Sequence, residues 1–450
     1  MYCVFWLGIV ASSLSFTGPA WGLINPTAGL KHHWALDESS GLATFDSAGS
    51  QPGTLVNGPL WQPALGRIDG ALEFDGVDDH VSLGTMDVPT GTGLTIGIWI
   101  KADDFDVTDG RLISKSTGLL ASDHYWMVST INSTGLRFRL KTGGSTTTLA
   151  TSTGQISTGK WYHVAVTYDG VTMRIYKDGV EVASAPKTGA INTSAGVGVA
   201  IGGQPAGAGS APFDGLIDDV RMYNRALTPL EVSGMAGDPT ITLWYGDSLK
   251  SGYLGVPQKW ANVVGTVTGA SRVDSLYYRL NGGAAAQLTI GPDGYRLVGE
   301  GDFNIELNCA DLDAGSNDVA ITAVDIFGQR TDTTVTVNYM NGVKWARPDT
   351  LKFESASKIA DEAYVIDGQW HLESGGVRNN ADAIGYDRLL TAGEGYDAGS
   401  SWPSDLDVTA PITIHNYLSN GSYRGAVGIG LGWKGHNGPE QPAKGHKYQV

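Results

Sequence analysis

Residues 213–235 read FDGLIDDVRMYNRALTPLEVSGM, and their pattern decides the fold of the first half of the chain. From Leu216 the side chains alternate, with Leu216, Val220 and Met222 on one side and Ile217, Arg221 and Tyr223 on the other. That is the period of a β-strand. Asp218 then falls on the face of Leu216 and Val220. A carboxylate there has to be hydrogen-bonded, paired or bound to a metal, because burying an unpaired charge is very costly. Thr228-Pro229-Leu230-Glu231 has the form of a capping box with proline at the first helical position, which predicts a short helix after the strand.

Working outward, the 450 residues include 63 glycines and only 17% charged residues. No long helical periodicity is present, and short alternating runs are separated by turn residues, which indicates an all-β, turn-rich chain of about three domains. The net charge of −16 argues against a nucleic-acid partner, which needs a basic surface. Residues 1–22 have the form of a signal peptide, with an apolar core at Val4–Val10 and a small-x-small site at Ala20-Trp21-Gly22, although no Lys or Arg precedes Lys31. The alternative is an apolar N-terminal strand of the fold. No later run is long and apolar enough to span a membrane. Cys3 would leave with the signal, so Cys309 would stand alone as a buried, inert thiol without a disulfide.

Four stretches occur in the order found in one known family: His33–Glu38 (HWALDE), Gly70–Val81 (GALEFDGVDDHV), Trp161–Gly170 (WYHVAVTYDG) and the closing IDDVRMYNRAL run. Together they resemble the laminin-G-like, concanavalin A-like jelly rolls. The resemblance covers residues 23–237 and implies two antiparallel sheets packed face to face. Tight turns are expected at Asn57-Gly58, Asp169-Gly170 and Asp178-Gly179, with strands at Leu94–Lys101 and Val171–Lys177.

Such a resemblance implies ligand binding, to carbohydrate in many members and to protein in others, often with a calcium ion. Calcium wants six to eight oxygen ligands. The candidate carboxylates are Asp37, Glu38 and Asp46 near the first strand, Asp75, Asp78 and Asp79 on one turn, and Asp214, Asp218 and Asp219 on the last strand. Because first and last strands are neighbours in this fold, Asp46 and Asp218 are expected to converge, and Asp46, Asp218 and Asp79 form the candidate metal set. The plain alternative is that these aspartates cap turns. Trp61, Tyr125 and Trp126 lie near loops and are the candidate sugar-stacking residues, while Trp161 reads as packing. His32, His33 and His163 lack metal-ligand spacing and read as ordinary strand residues.

Gly237-Asp238-Pro239 opens a second module at 238–340. Strands are expected at Ile241–Tyr245, Trp260–Val267, Leu276–Leu280, Gly301–Asn308, Asp318–Val324 and Thr333–Tyr339, a spacing that fits an immunoglobulin-like sandwich acting as a spacer. Within it, Glu300-x-Asp302-x-x-x-Glu306 matches the pattern of laminarinase-type retaining glycosidases, whose two carboxylates stand about 5–5.5 Å apart. The match is rejected, because Phe303, Ile305 and Leu307 claim the apolar face and leave Asp302 and Glu306 on the opposite one. Residues 341–450 read as an incomplete third β-sandwich, with strands at Tyr364–Glu373, Asp407–Tyr417 and Tyr423–Trp433. His415 and His436 there read as exposed strand and loop residues rather than ligands.

The sequence therefore points to an exported, non-catalytic binding protein, secreted or on the cell surface, whose jelly roll takes carbohydrate or another cell-surface ligand with calcium in a structural role. Two alternatives are an adhesin that binds protein and the N-terminal accessory part of a truncated polysaccharide-degrading enzyme. No Ser/His/Asp order, phosphate-cradling glycine loop or zinc spacing supports catalysis.

Overall fold

The computed structural model describes residues 2–8, 26–87, 91, 93–252, 260–269, 271–293, 297, 299–341, 352–367, 369–373, 376–379, 387–393 and 426–431. The first module is a sandwich of two eight-stranded sheets. The back sheet runs Val180–Pro186, Thr172–Lys177, Tyr162–Tyr168, Leu94–Ala102, Asp214–Tyr223, Ala71–Asp75 and Leu60–Gln62, and Leu30–Trp34 also pairs with Asp214–Tyr223. The front sheet runs Ser145–Ala150, Gly135–Thr142, His124–Ile131, Arg111–Ser116, Gly198–Ile201, His80–Thr85, Gly53–Val56 and Ala43–Thr44. Trp34, Phe74, Ile98, Trp126, Val128 and Phe138 are among the side chains that fill the space between them. The first and last strands are neighbours, as the family resemblance implies.

The closing strand departs from simple alternation. Its register on Leu94–Ala102 jumps from Asp218 opposite Trp99 to Arg221 opposite Gly97, and Asp219 adopts a left-handed conformation with φ of 49°. One extra residue in a strand reverses the facing of everything beyond it. Ile217 therefore shares the core with Val220 and Met222, while Leu216 and Asp218 face away from it. The expected single face of Leu216, Val220 and Met222 is thus split by the bulge. The helix Pro229–Ala236 follows as its capping box predicts, with the Thr228 side chain accepting from the Glu231 amide.

The second module is also a sandwich. Thr240–Leu243, Trp260–Thr268 and Asp302–Asn308 form one sheet, and Ser248–Ser251, Arg330–Tyr339, Gly315–Asp325, Val273–Leu280 and Ala286–Gln287 form the other. Leu276, Phe303, Ile305, Val319 and Ile321 lie in its core. Asp302, Asn304 and Glu306 alternate with buried Phe303, Ile305 and Leu307, as the rejection of the glycosidase pattern requires. Cys309 packs in the same core, where burial pushes its thiol up to about 11.

The two modules are joined by a shared apolar cluster of Ala165, Tyr176, Tyr223, Leu227, Val232 and Met235 with Phe327 of the second module. Gln329 donates to the carbonyls of Gly234 and Met235, and Arg221 donates to the carbonyl of Phe327 at 2.7 Å.

In the third segment, Asp387–Gly393 lies between Tyr364–Asp367 and Tyr2–Gly8, and Tyr2–Gly8 pairs on its other side with Ala426–Leu431. The expected leader thus contains a strand, in a place that a cleaved signal would vacate. Trp370–Glu373 and Gly376–Asn379 form a separate hairpin. Asp407–Tyr417, His415 and His436 lie outside the described residues. Among the described residues no helix is long and apolar enough to cross a membrane.

Candidate functional site

The outer faces of the two sheets of the first module both carry ionisable side chains, and they treat them differently. On the front sheet, Leu136, Phe138 and Leu140 point into the core, so Arg137, Arg139 and Lys141 point out. Cross-strand pairing extends a row from Arg139 through Met127, Ser114, Ala200 and Ser82 to Thr54, with Thr148 on the other side of Arg139. A second row joins Arg137, Ser129 and Arg111. Segments 117–123 and 202–213 border this face. Gln204 is tied to it by a 2.6 Å bond from Ser114 Oγ, and it donates to the carbonyl of Gly118.

Three guanidinium groups meet on this face. Arg111 and Arg137 are buried and Arg139 is half-buried. Arg111 Nη1 donates to the Asp109 carbonyl at 2.6 Å, and Arg137 Nε donates to Ser129 Oγ at 3.1 Å. The Asp109 carboxylate, 43% exposed, lies 2.9 Å from Arg137 Nη2 and 3.6 Å from Arg111 Nη1. Arg111 Nε and Arg139 Nε find no hydrogen-bond partner. Burial and the nearby Arg137 charge lower Arg111 to about 10, against the opposing pull of Asp109. Burial, followed by the same neighbouring guanidiniums, lowers His124 to about 4. His124 is therefore neutral near pH 7; its Nδ1 lies 2.8 Å from the Leu120 carbonyl, which it donates to, and 3.2 Å from Arg139 Nη1.

The outer face of the back sheet is sealed and mostly self-paired. Asp219 Oδ1 lies 2.6 Å from His33 Nε2 and accepts from Arg221 Nη2 at 2.9 Å. Burial opposes the ionisation of Asp219, yet Arg221 and His33 hold its pKa below the usual carboxylate range. Asp218 Oδ2 accepts from the amides of Arg67 and Ile68 at 2.7 and 2.8 Å, and Oδ1 has no partner. Burial, then the Asp219 charge, pushes Asp218 up to about 9, so it is a neutral acid near pH 7. His163 is buried against Trp99, and desolvation lowers it to about 3.

A third feature is the turn 75–79. Ligand oxygens of Asp75, Asp78 and Asp79 lie within 4.8 Å of one another, so the three carboxylates could hold a metal ion. Asp75 Oδ1 accepts from the Val77 and Asp78 amides, and Asp79 Oδ2 accepts from the Asp75 amide. Burial and the charges of Asp75 and Asp78 raise Asp79. The donor set, three carboxylates without an ion pair among the described residues, fits a hard cation that takes oxygen ligands. Gly76, at φ +69°, lets this turn lie on Asp214, since a Cβ there would stand 2.6 Å from Asp214 Oδ2.

The expected metal set does not assemble. Asp46 is saturated by His32 Nδ1 at 2.7 Å and by the amides of His33, Ala48, Gly49 and Gln51. Burial raises its pKa, but His32 and the His33 and Gln51 amides outweigh that and leave it low. Asp218 faces the Arg67–Ile68 amides and is protonated, so the bulge that turns it outward also removes it as a ligand. The carboxylate that reaches the first strand is Asp219, through His33. Asp79 alone of the three sits in the acidic turn. Among the stacking candidates, Trp126 is buried in the core and offers no face to a ligand. Trp61 is half-buried at the back-sheet edge, with its indole donating to the Gly41 carbonyl at 2.9 Å. Tyr125 is half-buried, with the Lys141 and Lys115 ammonium groups 5.1 and 5.7 Å from its ring centre. The arginines were not among the sequence candidates; the alternation Leu136-Arg137-Phe138-Arg139-Leu140-Lys141 was the signal that could have found them.

Residues 75–233 match the family model Laminin_G_3, described as the concanavalin A-like lectin/glucanases superfamily. The first module is thus a concanavalin A-like jelly roll, as the four stretches implied. Solved structures with which the chain shares features include domain 4 of AbnA, a GH43 extracellular arabinanase from Geobacillus stearothermophilus, in complex with arabinotriose. That match has 25% identity, covers 46% of this chain and 98% of the other, and has a TM-score of 0.35. A native heptameric SAP-like pentraxin from Limulus polyphemus matches at 25% identity over 38% and 84% of the two chains, with a TM-score of 0.31. The CBM40 of a Ruminococcus gnavus IT-sialidase bound to α2,3-sialyllactose matches at 18% identity over 36% and 96%, with a TM-score of 0.30. No curated protein sequence matches the chain.

Proposed function

We propose that this chain is an exported, non-catalytic binding protein whose jelly roll recognises carbohydrate on the outer face of the front sheet. The observation that carries the reading is that face itself: a row from Thr148 to Thr54 whose ends are exposed and whose middle, Met127, Ser114 and Ala200, is buried, beside a second row from Arg137 to Arg111. The accessible polar side chains of that face, Thr148, Arg139, Ser82 and Thr54, suit sugar hydroxyls, which are read by convergent donors and acceptors. Tyr125, on the same sheet, is proposed as a stacking surface, and Trp61 as a second one at the sandwich edge. Export is proposed on the signal-like Val4–Val10 core and the small-x-small site at residues 20–22.

Calcium is proposed at Asp75, Asp78 and Asp79 as a structural ion. It would neutralise three crowded carboxylates on the turn that leads into the front sheet. The second module is proposed as an immunoglobulin-like spacer. An adhesin reading is favoured by one observation, the exposure of Leu42, Phe45 and Leu60 at 73%, 75% and 61%, since exposed apolar groups can mark protein contacts.

Affinity electrophoresis of the full chain through gels containing neutral and acidic polysaccharides tests the main reading. Retardation by at least one glycan is expected, and no retardation in any gel would overturn it. For calcium, the expected result is a rise in Tm on adding the ion that chelator reverses and Asp79→Asn abolishes. A binding excess of a hundredfold over Kd corresponds to about 2.7 kcal/mol. A Tm indifferent to calcium would remove the ion.

A further inference from the structure

The chain carries a net charge of −16, yet the outer face of its front sheet gathers Arg111, Arg137 and Arg139 around one carboxylate. His124, which shares the site, is neutral and adds no counter-charge. Two guanidinium nitrogens, Arg111 Nε and Arg139 Nε, are buried without a hydrogen-bond acceptor. Burying a charged donor without a partner is costly, and guanidinium is most often satisfied by the paired oxygens of a carboxylate or similar oxyanion. Asp109 shows that a carboxylate fits in front of these groups, since it stands 2.9 Å from Arg137 and 3.6 Å from Arg111 while remaining 43% exposed. Arg139, half-buried, is the most accessible of the three, although its unpartnered Nε is itself buried.

We propose that this cluster is an oxyanion subsite that gives the front sheet a preference for acidic polysaccharide, the anion being a uronate carboxylate or a sulfate ester. The inference rests on the carbohydrate-binding reading of the same face and names its ligand class. A nucleic acid backbone is a poor match, because the cations form a single recessed cluster rather than a track and the rest of the chain is acidic. The Ser114 and Ser129 hydroxyls and the Gln204 amide are already engaged within the protein, which leaves the arginines as the groups with capacity to spare.

The full chain is run through gels of polygalacturonate and its methyl ester, and of dextran sulfate and dextran. The acidic gel of at least one pair is expected to retard the protein more than its neutral counterpart, and which pair does so identifies carboxylate or sulfate. Arg139→Gln is expected to weaken that retardation about tenfold or more, Arg139→Lys to weaken it less, and Asp109→Asn to strengthen it roughly threefold by removing the internal competitor. A folding defect would move Arg139→Gln and Asp109→Asn in the same direction, and unfolding curves on each variant check it. Equal retardation by acidic and neutral gels, or retardation unchanged in Arg139→Gln, would overturn the oxyanion subsite and leave carbohydrate binding standing. No retardation in any of the four gels would overturn both.

Discussion

The two outer faces of the jelly roll solve the same physical problem in opposite ways. The back sheet buries Asp218, Asp219, Arg221 and His163 beside a half-buried His33 and then balances them within the chain. Asp219 is paired with Arg221 and His33, Asp218 is protonated, His163 is kept neutral, and Phe327 of the second module closes over Arg221 at 5.3 Å. The front sheet buries Arg111 and Arg137 beside Arg139 and supplies one half-exposed carboxylate. A buried charge has to be paired to be tolerated. The balanced face is accordingly an internal joint between modules, and the unbalanced face is one that gains from a partner outside the chain.

The comparison breaks most visibly at Arg221. Removing one member of a buried ion pair leaves the other uncompensated and costs about 3–5 kcal/mol. Arg221→Ala is therefore expected to lower stability in urea unfolding by that order and to loosen the two modules. A loss below about 1 kcal/mol would mean that the joint does not depend on the pair.

Asp218 sharpens the comparison from the other side. Its folded pKa of about 9 stands above the ordinary 3.8, so between those values the folded chain holds a proton that the unfolded chain has lost. Its contribution to stability is fully present below pH 4 and declines as pH rises towards 9. Asp218→Asn keeps the two amide contacts possible and removes the ionisation. It is expected to raise stability by roughly 1–3 kcal/mol at pH 8 and to change it little at pH 4. A stabilisation that does not vary with pH would show that the carboxyl is not held protonated.

Much of this molecule was legible in the sequence. The hairpin turns, the closing strand, the capping box at Thr228 and the core face of Phe303, Ile305 and Leu307 all follow from periodicity and turn chemistry. The need for a partner at Asp218 was legible too, because a carboxylate in an apolar strand must be satisfied. Its identity was not, since the Arg67 and Ile68 amides lie about 150 residues away and the bulge at Asp219 changes which way the strand faces. Asp46 looked like a ligand because a local Asp that caps its own turn has the same sequence appearance as one that binds an ion. Short strands such as Ser248–Ser251 carry too few residues to show a period. The front-face arginines come from two distant segments, and only the pairing of Arg111 with Ser129 and of Ser129 with Arg137 brings them together.

The most direct test of an unbalanced front face is the titration of His124 by NMR in the full chain, free and with an oligogalacturonate or a sulfated oligosaccharide. His124 faces Arg111, Arg137, Arg139 and Gln204, and in the free protein its pKa is expected near 4. An oxyanion bound among those guanidiniums would offset their repulsion and raise that value. A His124 pKa near 6.5 in the free protein, or one unmoved both by the oligogalacturonate and by a sulfated oligosaccharide, would contradict the account.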